Sequence, residues 1–165
     1  MPVNFFNEEC KTVSTNREFG LCDDNLRPYA YIKEDGQNSW EGIVINENNY
    51  QINFYPIDNC IDLRRADGKM SKRCDGLLNF NQNLIFVELK SRKWRGSKWL
   101  NDGIEQLRST IHSFTKSYNL ADYPIIRAYV CNQFKPQANQ GHAVKLEKFK
   151  NETGIILRAQ QEIVV

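Results

Sequence analysis

The chain has 165 residues, 22 Lys and Arg against 20 Asp and Glu for a formal charge of +2, and 41% hydrophobic residues. That length and apolar content suit one globular domain over 1–165 and exclude wholesale disorder. No apolar run reaches the ~20 residues a bilayer-crossing helix needs, so no membrane association is expected.

Residues 1–9 lack a basic n-region and an apolar h-region, so no secretory leader is expected. The five cysteines, Cys10, Cys22, Cys60, Cys74 and Cys131, never stand as C-x-x-C. Their odd number predicts neither a zinc knuckle nor a disulfide framework, and points to a reducing cytoplasm. Residues 4–12 are expected to form a short helix capped by Asn4. Residues 13–39 read as turns with one short element. Residues 40–45 and 50–55 are β-rich and read as a hairpin joined through 46–49 and ending at Pro56. Residues 57–72 form a basic, loop-like passage with an Asp67-Gly68 turn signal.

Residues 74–80 and 83–90 read as two strands joined by the polar pair Asn81-Gln82. The second is apolar on both faces until its end, as a central buried strand is. Over 101–118, Ile104, Leu107, Ile111, Phe114 and Tyr118 recur at helical spacing. A buried strand over 125–131, a helix near 142–151, a strand over 154–158 and a last apolar run over 163–165 complete the chain. The order α-β-β-β-β-α-β-α-β predicts an α/β (α+β) fold, a mixed central sheet flanked by helices. Helix 101–118 would cross over between two parallel strands.

Charge is unevenly placed. Residues 1–63 carry 4 basic and 11 acidic side chains, and residues 64–98 carry 10 and 3. A basic block of this kind favours a polyanionic partner. If Asn81-Gln82 is the turn, Phe80 pairs with Asn83 and Asp75 falls directly opposite Glu88. Opposed residues of an antiparallel pair have Cβ atoms roughly 5 Å apart. Two carboxylates there repel, and a hard divalent cation such as Mg²⁺ relieves the cost. Lys90 projects from the same face as Glu88. Two acids, a cation and an ammonium are parts suited to phosphodiester hydrolysis.

Asp75 followed by an apolar strand ending Val87-Glu88-Leu89-Lys90 resembles the D…(D/E)-x-K signature of the PD-(D/E)XK, restriction-endonuclease-like nucleases. The resemblance covers about residues 40–131 and implies an αβββαβ core. It implies that Asp75 and Glu88 bind Mg²⁺ (or Mn²⁺) with the carbonyl of Leu89, and that Lys90 orients or activates the attacking water. Gln106 resembles a Gln that some branches place near the site. Cys74 stands where the family name implies Pro. Two other (D/E)-x-K triplets, at Glu9 and Asp67, lie in a candidate helix and a turn without a preceding apolar strand.

The following loop interleaves Arg92, Lys93, Arg95 and Lys98 with Trp94 and Trp99. Cationic side chains neutralise phosphates and indoles stack on unpaired bases, so this loop and Arg73 are candidate nucleic-acid contacts, with Trp99 read as core. Arg64, Arg65, Lys69 and Lys72 are candidates for the other side of the cleft. Glu8, Glu9 and Glu18 are alternatives for a third acid. The implied function is Mg²⁺-dependent cleavage of DNA in defence, restriction or repair. Three alternatives stay open: Glu88 merely paired with Lys90 or Arg73, a non-cleaving nucleic-acid- or protein-binding module on the same fold, and a nuclease subunit active only with a larger partner. A homodimer is a further open arrangement.

Overall fold

In a computed structural model, which describes residues 3–93, 96–135 and 140–165, ten strands and two α-helices are seen among the described residues. Strands β1 (Thr12–Ser14), β5 (Ile52–Pro56), β6 (Gly76–Phe80), β7 (Asn83–Lys90), β8 (Ile126–Asn132) and β9 (Ile156–Ala159) make a six-stranded sheet in that spatial order. β1, β5, β6 and β7 pair antiparallel, whereas β7, β8 and β9 run parallel. Helix α1 (Lys98–Phe114) links the parallel pair β7 and β8, and α2 (Gln140–Thr153) links β8 to β9. A second sheet holds β10 (Glu162–Val164), β4 (Gly42–Ile45), β2 (Glu18–Cys22) and β3 (Tyr31–Lys33) in that order. The molecule is thus an α/β fold with mixed sheets and flanking helices, as expected.

The period-2 pattern of β7 explains the layering. Leu84 and Phe86 face α1, where they meet Leu100, Ile104, Leu107, Ile111 and Phe114. Ile85, Val87 and Leu89 face the small sheet, meeting Phe19, Leu21, Val44 and Ile163. A strand buried on both faces has this continuous apolar sequence because neither side is left to water. Each face of the central sheet therefore seals its own core.

The N-terminal part of the chain departs from expectation in four ways. Residues 4–11 form turns and irregular chain, not a helix, and Thr12 opens β1. Asn4 Oδ1 accepts from Phe6 N–H and Asn7 Oδ1 from Glu9 N–H, both at 3.0 Å, and such local bonds compete with helical ones. Phe5 is wholly buried, edge-on to Phe114 with ring centroids 5.2 Å apart. Residues 13–39 contain β2 and β3 as well as the end of β1, short strands whose burial comes from the opposing sheet.

β4 and β5 do not form a hairpin: β4 pairs with β2 and β10, and β5 with β1 and β6. Asn46, wholly buried, turns the chain from one sheet to the other by bonding the carbonyls of Asn16 and Tyr50 and the N–H of Tyr50. Finally, Cys10 and Cys60 are joined in a disulfide across 50 residues. This corrects the expectation drawn from cysteine count, and it removes cysteine usage as an argument for a reducing compartment. Cys22, Cys74 and Cys131 are free and buried. Among the described residues no helix is long and apolar enough to cross a membrane.

Candidate active site

The β6–β7 hairpin has the expected register, from Phe80 opposite Asn83 to Gly76 opposite Val87. Asn81 and Gln82 take φ of 45° and 66°. Left-handed conformation at both central positions is what a two-residue turn of matching twist demands. One step beyond Gly76, Asp75 meets Glu88 across the strands. Asp75 N–H donates to Glu88 Oε1 at 3.1 Å, and Leu89 N–H donates to Asp75 Oδ2 at 2.6 Å. Both acids are nearly sealed from solvent, at 5% and 1% exposure. Gly76 is required beside them: a Cβ there would stand 2.4 Å from the Phe54 ring and 2.9 Å from Tyr55 O.

Helix α1 closes the site from above. A Cβ on Gly103 would lie 2.9 Å from Val130 and 3.5 Å from Glu88 Cγ, so this glycine lets the helix sit down on the acid pair. Lys90 Nζ reaches Glu88 Oε2 at 2.8 Å and Gln106 Oε1 at 2.7 Å, and Gln106 Nε2 donates to Arg73 O at 3.2 Å. Asp75, Glu88, Lys90 and Gln106 are therefore brought together, and Leu89 lies between the acid and the lysine.

Burial first, and the charge of Glu88 second, push the Asp75 carboxyl well above the usual carboxylate range. Burial raises Glu88 as well, while its bonds to Asp75 and the Lys90 ammonium pull it partly back. Burial also raises the Cys74 and Cys131 thiols, which disfavours the reactive thiolate in both.

Two residues that sequence reading missed shape this end of the molecule. Thr110, wholly buried on α1, accepts from Cys74 N–H at 2.8 Å and donates to Gln106 O at 2.8 Å. It ties the residue before Asp75 to the helix that carries Gln106. Thr110→Val keeps the volume but orphans the buried Cys74 N–H, so a loss of about 1–3 kcal/mol is expected in chemical denaturation. Wild-type stability in that variant would show the tie to be dispensable.

Glu41, at 8% exposure, accepts from Asp23 N–H at 2.8 Å. Burial pushes its carboxyl up to about 7. The charge of Asp23, after burial and Glu88, also raises the Asp75 carboxyl. No sequence motif marks Glu41 or Asp23; only the packing of the small sheet brings them here.

Beside Lys90 and Gln106 opens a cleft of about 500 Å³, lined also by Asp58, Met70, Lys72, Arg73 and Asp102. The candidate nucleic-acid residues are not equivalent. Arg73 is tied to Asp58 at 2.7 Å and Lys98 to Asp102 at 2.7 Å. Lys93 lies over the Phe134 ring, 4.9 Å from its centroid. Arg92 is exposed while its backbone is clasped on both sides by the Asn132 amide, at 3.3 and 3.2 Å. Trp94 and Arg95 lie outside the described residues. Trp99 is core, edge-on to His142, which stands buried on α2.

Among the described residues no group of three or more His, Cys, Asp and Glu is arranged to hold a metal ion. Comparison with protein-family models, curated proteins and solved structures returned no match.

Proposed function

We propose that the chain is a Mg²⁺-dependent nuclease of the PD-(D/E)XK type that hydrolyses DNA phosphodiester bonds. The observation that carries this reading is the buried, face-to-face pair of Asp75 and Glu88 with Lys90 held between Glu88 and Gln106. A mixed sheet flanked by helices is compatible with that fold without being specific to it, and residues 4–12 form no leading helix.

The donor set suits a hard cation. Two nearly buried carboxyls with raised proton affinity are costly as a metal-free pair, and oxygen donors are what Mg²⁺ takes. Asp75, Glu88 and the carbonyl of Leu89 would hold it, with water completing the shell. A bound Mg²⁺ supplies polarisation of the phosphoryl oxygen and a more acidic water. Lys90 then offers its ammonium to charge building on the phosphate, and Gln106 fixes its direction. Lys72 and the exposed Arg92 neutralise the flanking backbone.

The 2.8 Å Glu88–Lys90 ion pair favours one second reading, a non-cleaving module in which the pair is merely structural. Incubating the purified protein with supercoiled, linear and single-stranded DNA separates the two. Nicking or degradation with Mg²⁺ or Mn²⁺ and none in EDTA is expected. Intact DNA under every condition, with binding retained, would favour the module.

A further inference from the structure

We infer that Met70 is a wedge that enters the base stack of duplex DNA beside the phosphate held at Lys90, so that the substrate is a double helix unstacked at one step. The inference rests on the nuclease reading and adds the form of the substrate.

Residues 64–73 are polar and basic apart from Ala66 and Met70. Met70 is 45% exposed. A single exposed apolar side chain is ordinary on a surface. This one lines the same cleft as Lys90, Gln106 and Arg73, where solvent-facing methionine gains nothing unless something apolar covers it.

Its support is rigid. Met70 bridges Arg64 across a tight hairpin, with Arg65 N–H to Lys69 O at 2.8 Å and Gly68 N–H to Arg65 O at 2.9 Å. The Asp67 carboxylate takes Lys69 N–H at 3.0 Å, and Arg64 Nη1 donates to Gly68 O at 3.1 Å. At the base, Ser71 N–H donates to the carbonyl of Leu63, whose side chain is buried. The tip is thus held in shape before any partner arrives, so ordering it costs little on binding.

The charges around it suit a backbone on either side. Lys69 and Lys72 flank Met70 in sequence and stand in no ion pair among the described residues. Arg64 instead pairs with Asp62, and Arg65 with Asp67. An apolar side chain between two available cations, on a stiff hairpin at the rim of a cleft, has the parts of a base-step wedge. Such side chains enter between bases and kink the duplex, most readily at flexible pyrimidine–purine steps.

The test uses the full chain in EDTA, so that no DNA is cut, and duplexes carrying 2-aminopurine at successive steps. Binding is followed by anisotropy of a terminal dye and unstacking by 2-aminopurine fluorescence. The native protein is expected to raise that fluorescence severalfold at one step. Met70→Ser should lose the rise while keeping the salt dependence of binding, since no charge is removed. Met70→Leu should restore it, and a mismatch at the same step should erase the difference between native and Met70→Ser. Duplex binding without a rise at any step, or a rise undiminished in Met70→Ser, overturns the wedge and leaves the nuclease reading standing. No binding of duplex at all overturns the wedge too, and the nuclease reading then rests on the cleavage assay with Mg²⁺ alone.

Discussion

Lys90→Ala is expected to cut the proposed DNA cleavage by about 10²–10³ while leaving DNA affinity within a few fold. Lys90 is one of 10 basic residues between 64 and 98, so its removal subtracts little from the field that attracts a polyanion. Its side chain is only 13% exposed and already engaged by Glu88 and Gln106. What is lost is a positioned donor where charge builds in the transition state, worth about 10²–10³ in rate from analogous deletions. The variant also leaves buried Glu88 without its counter-ion, so its melting temperature should fall, more so at high pH where Glu88 must ionise. Cleavage at saturating DNA, read beside anisotropy and circular dichroism, checks the prediction. Turnover near the native level in a folded Lys90→Ala protein would remove Lys90 from the mechanism.

Asp75→Asn is expected to abolish the proposed cleavage and yet raise the stability of the metal-free protein. Burial and the facing Glu88 lift the Asp75 carboxyl in the folded state, so the native chain holds a proton that the unfolded chain has released. Stability contributed by that proton is present at low pH. It is lost as pH rises from the ordinary carboxylate range through the raised folded value. Asn has no such proton to lose and can still accept from Leu89 N–H, so its profile flattens. Glu41, lifted to about 7 by burial, imposes the same sign of slope between 4.5 and about 7. Glu41 is common to native and Asp75→Asn, so its slope cancels and the difference between the two profiles belongs to the acid pair.

Mg²⁺ should raise the native melting temperature, because a ligand that binds only the folded state stabilises it, and should do little for Asp75→Asn. A structural Glu88–Lys90 pair predicts another pattern. There the native protein ignores Mg²⁺, and both Asp75→Asn and Glu88→Gln melt lower in EDTA. Melting curves of the three proteins, with EDTA and with Mg²⁺, on either side of about pH 7, distinguish the patterns. The second pattern would end the nuclease assignment.

The sequence by itself determined those parts whose information is local. Asn81-Gln82 sets the turn, the turn sets the register, and the register alone puts Asp75 opposite Glu88. The apolar stripe through Ile104, Leu107, Ile111 and Phe114 marks the crossover helix, and the unbroken apolar run of β7 marks a strand covered on both sides. Tertiary structure decided the rest. Strands of three residues such as β1, β3 and β10 carry too few positions to show a period, and they form because a neighbouring sheet buries them. The separation of β4 from β5 depends on the buried Asn46 amide bonding two carbonyls, one of them 30 residues away. Pairing of Cys10 with Cys60, the tie of Thr110 to Cys74 and the burial of Glu41 likewise join residues distant along the chain. Such contacts leave no periodicity in the sequence, because each is made by one side chain whose partner is chosen only when the layers close.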